Sequence, residues 1–226
     1  MTTHVVAAVP ARSIAVRRLG RIEYDAALEL QRELVEERRR EAIGDMLLLL
    51  EHPPVITVGA RNRIGKANIV ATPEALAREG IQIFEAGRGG DVTYHGPGQL
   101  VGYPILDLKP DRCDVHRYVR DLEEVLISAV GCFGVTCQRL PGLSGVWVGS
   151  PGREAKLAAV GVRISRWVTS HGFALNVNTN LDHFGTIVPC GISDRGVTSL
   201  ERLLGHSVPL ADVEDAVLES FRSVFV

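Results

Sequence analysis

The segment of residues 88–99 constrains the fold more than any other part of the sequence. It reads R-G-G-D-V-T-Y-H-G-P-G-Q and lies between two apolar runs, 81–84 and 100–106, that predict strands. Glycine and proline at this density disfavour a helix or a central strand, so we expect a long loop. The composition alone leaves a plain hairpin connection open. Arg88 and His95 in the same segment favour a loop that contacts a ligand.

The overall composition is that of a soluble globular protein. The chain has 226 residues, of which 46% are hydrophobic and 23% are charged, and it can bury a substantial core. Its net charge of −2 gives no overall attraction to nucleic acid or to an anionic membrane. The longest apolar run, 46–50, is far shorter than a membrane span. The first dozen residues lack the pattern of an export signal, so we expect a cytoplasmic protein.

Strand and helix signals alternate irregularly along the chain. His52, Pro53 and Pro54 separate two short apolar runs and predict a strand, a turn and a second strand. Thr72 and Asp114 are expected to cap helices. The predicted strands are 13–19, 46–51, 55–59, 81–84, 100–106, 135–139, 145–149, 157–164 and 173–177. Helices are predicted from 24, from 72, from 114 (with Val115, Tyr118, Val119, Leu122, Val125, Leu126 and Ala129 on its apolar face) and over 211–224.

This order of elements predicts an α/β (α+β) fold in which a mixed β-sheet is flanked by helices, because strict βαβ alternation is absent. No linker, repeat or low-complexity stretch divides the chain. We therefore predict a single domain over residues 13–226, preceded by a disordered segment over residues 1–12.

The four cysteines do not form a metal-ligand pattern. They contain no CxxC pair, so we expect no zinc site and free thiols in a reducing compartment. Cys113, Cys132 and Cys137 are expected to be small buried hydrophobic residues. Cys190 differs, since Pro189 before it and Gly191 after it place its thiol on a turn. A nucleophile and a structural thiol both remain open for it.

A nucleophilic cysteine needs a base or a positive neighbour. The candidates are His95, His171 and Lys156. Only three of the 25 basic residues are lysines, and Lys156 begins an apolar run in which burial would suit a proton acceptor. An ordinary strand-end lysine facing water is equally compatible with the sequence. The remaining histidines, which are expected to be structural or exposed, are His4, His52, His116, His183 and His206.

The glycine segment does not match the common nucleotide-binding templates. Gly87 and Gly89 lack a third glycine at position 92, and no G-K-[ST] follows. The sequence therefore gives no motif support for a dinucleotide or Walker-type site.

Several ordered motifs together resemble one family. They are residues 88–99, the run 156–163 (K-L-A-A-V-G-V-R), the run 171–176 (H-G-F-A-L-N) and the run 189–192 (P-C-G-I), with 145–147 and 196–200 in addition. These motifs extend over roughly residues 45 to 205. They resemble the octanoyltransferases, or lipoyl(octanoyl) transferases, of lipoate biosynthesis.

The resemblance implies an acyltransferase domain with the fold of the biotin and lipoate protein ligase catalytic domains. It implies transfer of an octanoyl or lipoyl group from acyl carrier protein to a specific lysine of lipoyl domains. The acceptors would be those of the 2-oxoacid dehydrogenase complexes and the glycine cleavage H protein. The group would pass through a thioester on Cys190, with Lys156 as the activating residue. The resemblance implies no cofactor, metal, nucleic-acid or membrane partner.

The resemblance also implies a set of substrate-contacting residues. Tyr94, Val160 and Phe173 are expected to form walls for the acyl chain, and Arg61, Arg63 and Lys66 to contact the acidic carrier protein. The alternatives are an ATP-dependent lipoate or biotin ligase of the same fold and a non-catalytic protein that binds an acyl chain or acyl carrier protein. The implied substrate-binding residues are Arg88, Gly89, Gly90, Asp91, Val92, Thr93, Tyr94, His95, Ala159, Val160, Gly161, Gly172, Phe173 and Ala174.

Overall fold

A computed structural model of the chain describes residues 12–60, 68–188 and 195–226. In these residues two mixed β-sheets are combined with five α-helices and a 3₁₀ helix. The elements in chain order are β1 (Ile14–Arg21), α1 (Tyr24–Arg39), β2 (Asp45–Glu51), β3 (Val55–Val58), α2 (Pro73–Arg78), β4 (Gln82–Glu85), β5 (Val92–His95), β6 (Gln99–Ile105), α3 (Val115–Gly131), β7 (Gln138–Leu140), β8 (Leu143–Val148), β9 (Ala155–Ser165), β10 (Val168–Asn176), the 3₁₀ helix (Leu181–Thr186), β11 (Gly196–Val197), α4 (Leu200–Leu204) and α5 (Leu210–Phe225).

The larger sheet has the strand order β1-β2-β6-β10-β9-β8-β7, and β11 pairs with β9. The β1–β2 and β9–β11 pairs are parallel, and the other pairs of this sheet are antiparallel. Both faces of its centre are covered, which explains the unbroken apolar run in β2. Leu47 and Leu49 pack in the core that includes α3 and α5, whereas Leu48 and Leu50 pack in the core that includes α1. Alternation along the strand therefore supplies two cores.

The smaller sheet has the order β4-β3-β5 and corrects one prediction. The strand, turn and strand predicted around His52 are confirmed, although β2 and β3 belong to different sheets. The predicted long loop also contains a strand, since residues Val92–His95 pair antiparallel with β3. The glycines lie on either side of this short edge strand, where they do not interrupt its ladder. The predicted fold with a mixed sheet flanked by helices is confirmed, and within the described residues a second, smaller mixed sheet lies beside the first.

Helix starts are confirmed where the sequence shows a cap. The Thr72 hydroxyl accepts a hydrogen bond from the Ala75 N–H, and the Asp114 carboxylate accepts one from the Arg117 N–H. The predicted apolar face of α3 is wrong at Val115, which is 45% exposed beside the cap. Position 123 of this helix instead carries a buried carboxylate.

The cysteine predictions are confirmed only in part. Cys113, Cys132 and Cys137 are free thiols, but the first two are exposed rather than buried. Cys113 lies just before the cap of α3 and Cys132 directly after its last turn, where few side chains cover them. Cys137 is partly buried, and burial raises the pKa of its thiol to about 11. Cys190 lies outside the described residues.

Arg12, at the end of the segment predicted to be disordered, is held in place. Its guanidinium donates hydrogen bonds to the carbonyl oxygens of Asp107 and Lys109 and forms ion pairs with Asp45 and Asp111. Residues 1–11 lie outside the described residues, so disorder there stays a prediction.

The buried carboxylate of Glu123 ties α3 to the start of β8. Its Oε1 accepts a hydrogen bond of 2.9 Å from the Gly145 N–H, and its Oε2 pairs with Arg120 and Arg139. Glu123 has no exposed surface, whereas both arginines are partly exposed. Its removal would leave a buried N–H and two cations without their partner.

We therefore expect Glu123→Leu to lower the free energy of unfolding by about 3 kcal/mol, the lower end for breaking a buried ion pair, because the arginines retain water. Glu124→Gln is the matched control, since Glu124 also pairs with Arg139 but is 48% exposed. It should cost under about 1 kcal/mol. Urea unfolding of the three proteins measures both values, and equal losses would contradict the role of Glu123.

Candidate active site

A cavity lies between the larger sheet and the smaller one. It encloses about 820 Å³, including space open to solvent at its mouth. Its walls come from β9, β10 and β6 on one side and from β5 with the residues before it on the other. The described residues that line it are Tyr24, Arg88, Gly89, Gly90, Asp91, Val92, Thr93, His95, Gln99, Tyr103, Ser144, Lys156, Ala159, Val160, Gly161, His171, Gly172, Phe173, Ala174, Asn176, Phe184 and Val197.

Most of the predicted site residues therefore meet at one cavity, although they are more than 80 positions apart in the chain. Tyr94 is the exception and corrects a prediction. Side chains alternate along β5, so Thr93 and His95 face the cavity whereas the Tyr94 ring packs against Phe184, with its hydroxyl 2.7 Å from His183 Nδ1. Of the three predicted walls, Val160 and Phe173 line the cavity and Tyr94 does not.

Arg88 shapes the loop from within. Its guanidinium donates hydrogen bonds to the carbonyl oxygens of Asp91 and Thr57 and to the Thr57 hydroxyl, at 2.7–2.9 Å. It also reaches the carbonyl oxygen of Gly89 at 3.1 Å. The side chain is only 8% exposed. Arg88 therefore fixes the backbone that faces the cavity.

Lys156 lies at the opposite end of the cavity, near the start of β9. Its backbone is held on both sides, opposite Trp147 of β8 and Val197 of β11. Its Nζ lies 4.7 Å from the centre of the Trp147 ring, a cation–π distance. Gly145 permits this arrangement, because its φ of 107° and the 2.5 Å between a Cβ there and the Ala158 carbonyl oxygen exclude a side chain. The half-buried lysine is thus positioned on the cavity wall rather than free in solvent.

A chain of buried hydrogen bonds joins the glycine segment to Lys156. His95 Nδ1 lies 2.7 Å from Gln99 Oε1, and Gln99 Nε2 donates to Asn176 Oδ1 at 2.9 Å. Asn176 Nδ2 donates to the Thr198 carbonyl oxygen at 3.0 Å, and the Thr198 N–H donates to the Lys156 carbonyl oxygen at 3.0 Å. This series, His95–Gln99–Asn176–Thr198–Lys156, is referred to below as the buried relay.

The donor and acceptor of each bond in the buried relay follow from the Thr198 carbonyl group. The Thr198 carbonyl can only accept, so Asn176 presents its NH₂ there and its oxygen to Gln99. Gln99 then presents its oxygen to the ring of His95, so Nδ1 carries the proton. Nε2 is left to accept from the Thr57 hydroxyl at 3.4 Å.

The histidines around the cavity are held neutral. Burial lowers the pKa of His52 to about 4 and that of His171 to about 3, the latter with the help of Arg88, Arg163 and Arg32. Burial, then His52 and Arg88, also lowers the pKa of His95 well below its usual value. None of the three is a proton donor near neutral pH.

Several residues of the site were not predictable from the sequence. Gln99 and Asn176 stand at the ends of motifs that were recognised, but nothing in their spacing indicated that their amides pair across two strands. His52, which was expected to be structural or exposed, is structural: it is buried, with Nδ1 2.8 Å from the Ile22 carbonyl oxygen and Nε2 2.8 Å from the Tyr103 hydroxyl. Cys190, Arg61, Arg63 and Lys66 lie outside the described residues.

Comparison with known proteins identifies the family. The model of the lipoyl protein ligase A/B catalytic domain matches residues 23–222. An octanoyltransferase of Chloroflexus aggregans is 51% identical over 215 residues, covering 95% of this chain and 96% of its own length. The chain belongs to the octanoyltransferase family. It is therefore an acyltransferase. An octanoyltransferase of Myxococcus xanthus is 54% identical over 215 residues, which are 94% of this chain but 60% of the longer relative.

Solved structures confirm the predicted fold. A lipoate-protein ligase A bound with ATP superposes with a TM-score of 0.70 at 14% identity, over 94% of this chain and 85% of that one. A biotin protein ligase from Aquifex aeolicus gives 0.58 at 16% identity, over 93% and 70%. These likenesses concern architecture alone. Among the described helices, none combines the length and apolar character needed to span a bilayer.

The lowered histidine pKa values predict acid sensitivity. His52 has a folded pKa of about 4 against 6.5 in the unfolded chain, so the unfolded state binds more protons between these values. Stability is fully present above pH 6.5 and falls as the pH drops. At pH 5 this amounts to about 2 kcal/mol for His52.

We expect His52→Gln to lose less stability than wild type between pH 7.5 and pH 5, by about 2 kcal/mol, since glutamine does not titrate. His116→Gln, at an exposed position of α3, should retain the wild-type difference. Urea unfolding at both pH values gives the comparison. An unchanged pH dependence in His52→Gln would contradict the assignment.

Proposed function

We propose that this chain transfers an octanoyl group from acyl carrier protein to a lysine of lipoyl domains through a thioester on Cys190. The main support is the placement of Lys156 on the wall of the same cavity that the glycine segment encloses. Family membership and the motif at 189–192 supply the cysteine. We also propose a cytoplasmic location, with lipoyl domains of 2-oxoacid dehydrogenase complexes and the glycine cleavage H protein as acceptors.

In the first step the Cys190 sulfur attacks the thioester carbonyl of the donor. Lys156, as the neutral amine, accepts the thiol proton, the new C–S bond forms, and the bond to the pantetheine sulfur breaks. Lys156 then returns the proton to the departing sulfur. The products are an octanoyl thioester on Cys190 and a free carrier thiol.

In the second step the amine of the acceptor lysine attacks the thioester carbonyl. A C–N bond forms and the bond to the Cys190 sulfur breaks. Lys156 moves the amine proton to that sulfur, which restores the thiol and leaves an amide. Each step conserves protons and electrons without a cofactor.

The cavity suits an apolar acyl chain. Ala159, Val160, Phe173 and Ala174 line it with hydrocarbon, and Phe184 adds a ring. Apart from Phe184, these residues belong to β9 and β10, so this part of the cavity wall is apolar. The neutral state of the nearby histidines adds no positive charge there.

Two backbone N–H groups of the glycine segment already donate hydrogen bonds within the protein. The Gly89 N–H donates to the Val162 carbonyl oxygen at 2.9 Å, and the Val92 N–H donates to the Asp91 carboxylate at 2.8 Å. Neither can therefore stabilise the oxyanion of a tetrahedral intermediate without losing its present partner. The oxyanion donor, which is typically worth about 2.7–4 kcal/mol, is to be sought among other groups of the cavity.

Replacement of Lys156 tests its role in proton transfer. Lys156→Arg keeps a long basic side chain beside Trp147, but arginine stays protonated and cannot accept the thiol proton, so we expect transfer to fall by about 10²-fold or more with the fold retained. Octanoyl transfer from octanoyl carrier protein to a lipoyl domain, with circular dichroism as the folding control, measures this. Activity within about twofold of wild type would remove Lys156 from the proton-transfer role.

Intact mass spectrometry tests the acyl-enzyme in the same preparation. Wild type incubated with octanoyl carrier protein should gain one hydroxylamine-labile octanoyl group, and Cys190→Ala should gain none. Transfer is expected without ATP and magnesium. Strict dependence on ATP would instead support the ligase alternative, and binding without an adduct would support a non-catalytic protein.

The buried relay predicts a difference between two asparagines. Asn176→Leu removes both bonds that connect Gln99 to Thr198. Asn178→Leu removes a similar pair, with the Val208 backbone, that points away from the cavity. Each should cost about 1–3 kcal/mol of stability because polar partners are left without bonds.

The rate of octanoyl transfer should distinguish Asn176→Leu from Asn178→Leu. We expect kcat of Asn176→Leu to fall by about tenfold or more through displacement of Lys156, and that of Asn178→Leu to stay within about twofold. Rates are measured well below both unfolding transitions. Equal rates for the two variants would assign Asn176 to stability alone, whereas partial rescue by Asn176→Gln would support positioning.

A further inference from the structure

A second cavity lies between α1 and the β9–β10 hairpin. It encloses about 880 Å³, again counting space open to solvent. It continues along the same face of the larger sheet as the first cavity, and His171 lines both. Lys156 and Arg163 are seven residues apart on β9, so the two sites are separated by roughly 23 Å along the strand. The second cavity is therefore distinct from the reacting groups.

Positive charge dominates this cavity. Arg32 and Arg39 reach it from α1, and Arg163 reaches it from β9. Glu36 is the one carboxylate among the described residues that line it, and Glu36 is paired with Arg39. Within the part of the chain that the structure describes, Arg32 and Arg163 form no ion pair with a carboxylate. Both side chains are exposed, so among the described residues two guanidinium groups are available to an anion.

The backbone position of Arg163 is fixed by the β9–β10 ladder. Arg163 is directly opposite Ser170 in the β9–β10 ladder, so their side chains share a face. The guanidinium lies against the backbone of Gly87, where a Cβ would come within 2.5 Å of Nη1. The absence of a side chain at position 87 therefore allows Arg163 to occupy the cavity edge.

The positive charge of these arginines affects the pKa of the neighbouring His171. Burial first, and then Arg88, Arg163 and Arg32, lower the pKa of His171 to about 3. The same three arginines therefore act on a single point of the shared wall. His171 stays neutral and adds no further charge. The backbone N–H of His171 donates a hydrogen bond of 2.8 Å to Gln31 Oε1, which holds this part of the wall in place.

The geometry points to this second cavity as a binding site for a phosphate group, held by Arg163 and Arg32 with the Ser170 hydroxyl as a further donor. One guanidinium group can donate two parallel hydrogen bonds to phosphate oxygens. A phosphate monoester carries about −1.5 to −2 charges near neutral pH, which matches the charge of the two arginines that form no ion pair among the described residues. The inference does not rest on the proposed function. Free phosphate and the phosphate of a larger molecule share this chemistry.

Calorimetric titration with inorganic phosphate at constant ionic strength tests the site. We expect saturable binding to wild type and affinity weaker by at least about tenfold in Arg163→Gln and in Arg32→Gln. Arg17→Gln removes an exposed arginine of β1 and is the charge-matched control. It should bind as wild type does. Equal weakening in all three variants, or in none, would overturn the site.

Gly87→Ala provides a second variant that changes no charge. Its Cβ would displace the Arg163 guanidinium, so phosphate affinity should fall while the net charge is preserved. Amide shifts of Ser165 and Ser170 on titration locate the ligand, and shifts elsewhere would contradict the assignment. Comparison of 4′-phosphopantetheine with pantetheine and with free phosphate distinguishes the sources. Tighter binding of phosphopantetheine than of phosphate would identify a prosthetic-arm phosphate, and equal binding a free phosphate site.

Discussion

The arrangement of the site depends on the side-chain amide of Gln99. Its oxygen and its nitrogen are both engaged, with His95 on one side and with Asn176 and the Tyr94 carbonyl on the other. Through these bonds one buried residue sets the separation between β5 and β10. Because Asn176 continues to Thr198 and so to Lys156, the lysine cannot shift without breaking a bond inside the protein. A buried bond that is lost without a substitute costs about 1–3 kcal/mol, enough to hold the geometry.

A buried arginine determines the electrostatics of the same region. Arg88 uses its donors on backbone oxygens of the glycine segment, so its charge remains close to His95 and His171. Together with burial, that charge disfavours protonation of both rings. Residues that resemble catalytic bases in the sequence thus become neutral hydrogen-bonding groups. Of the three candidate bases, Lys156 is the one that we propose as the proton acceptor.

The sequence predicted elements whose signals are local. The cap residues Thr72 and Asp114 and the unbroken apolar run of β2 define their elements within a few positions. Contacts between distant strands were not predictable in this way. The packing of the Tyr94 ring away from the cavity follows from the pairing of β5 with β3, and the glycines around β5 gave no sequence signal for a strand. Family motifs located most of the cavity, but not the amides of Gln99 and Asn176, whose role exists only after β6 and β10 pair.

The fold and the position of Lys156 are compatible both with transfer through a thioester and with ATP-dependent ligation. A lipoate-protein ligase A bound with ATP shares this architecture at 14% identity, and that likeness concerns the fold alone. Loss of activity in a lysine variant would therefore not by itself distinguish thioester transfer from an ATP-dependent ligation. A thiol at position 190 has a direct role in only one of them, so the covalent adduct discriminates where the lysine cannot.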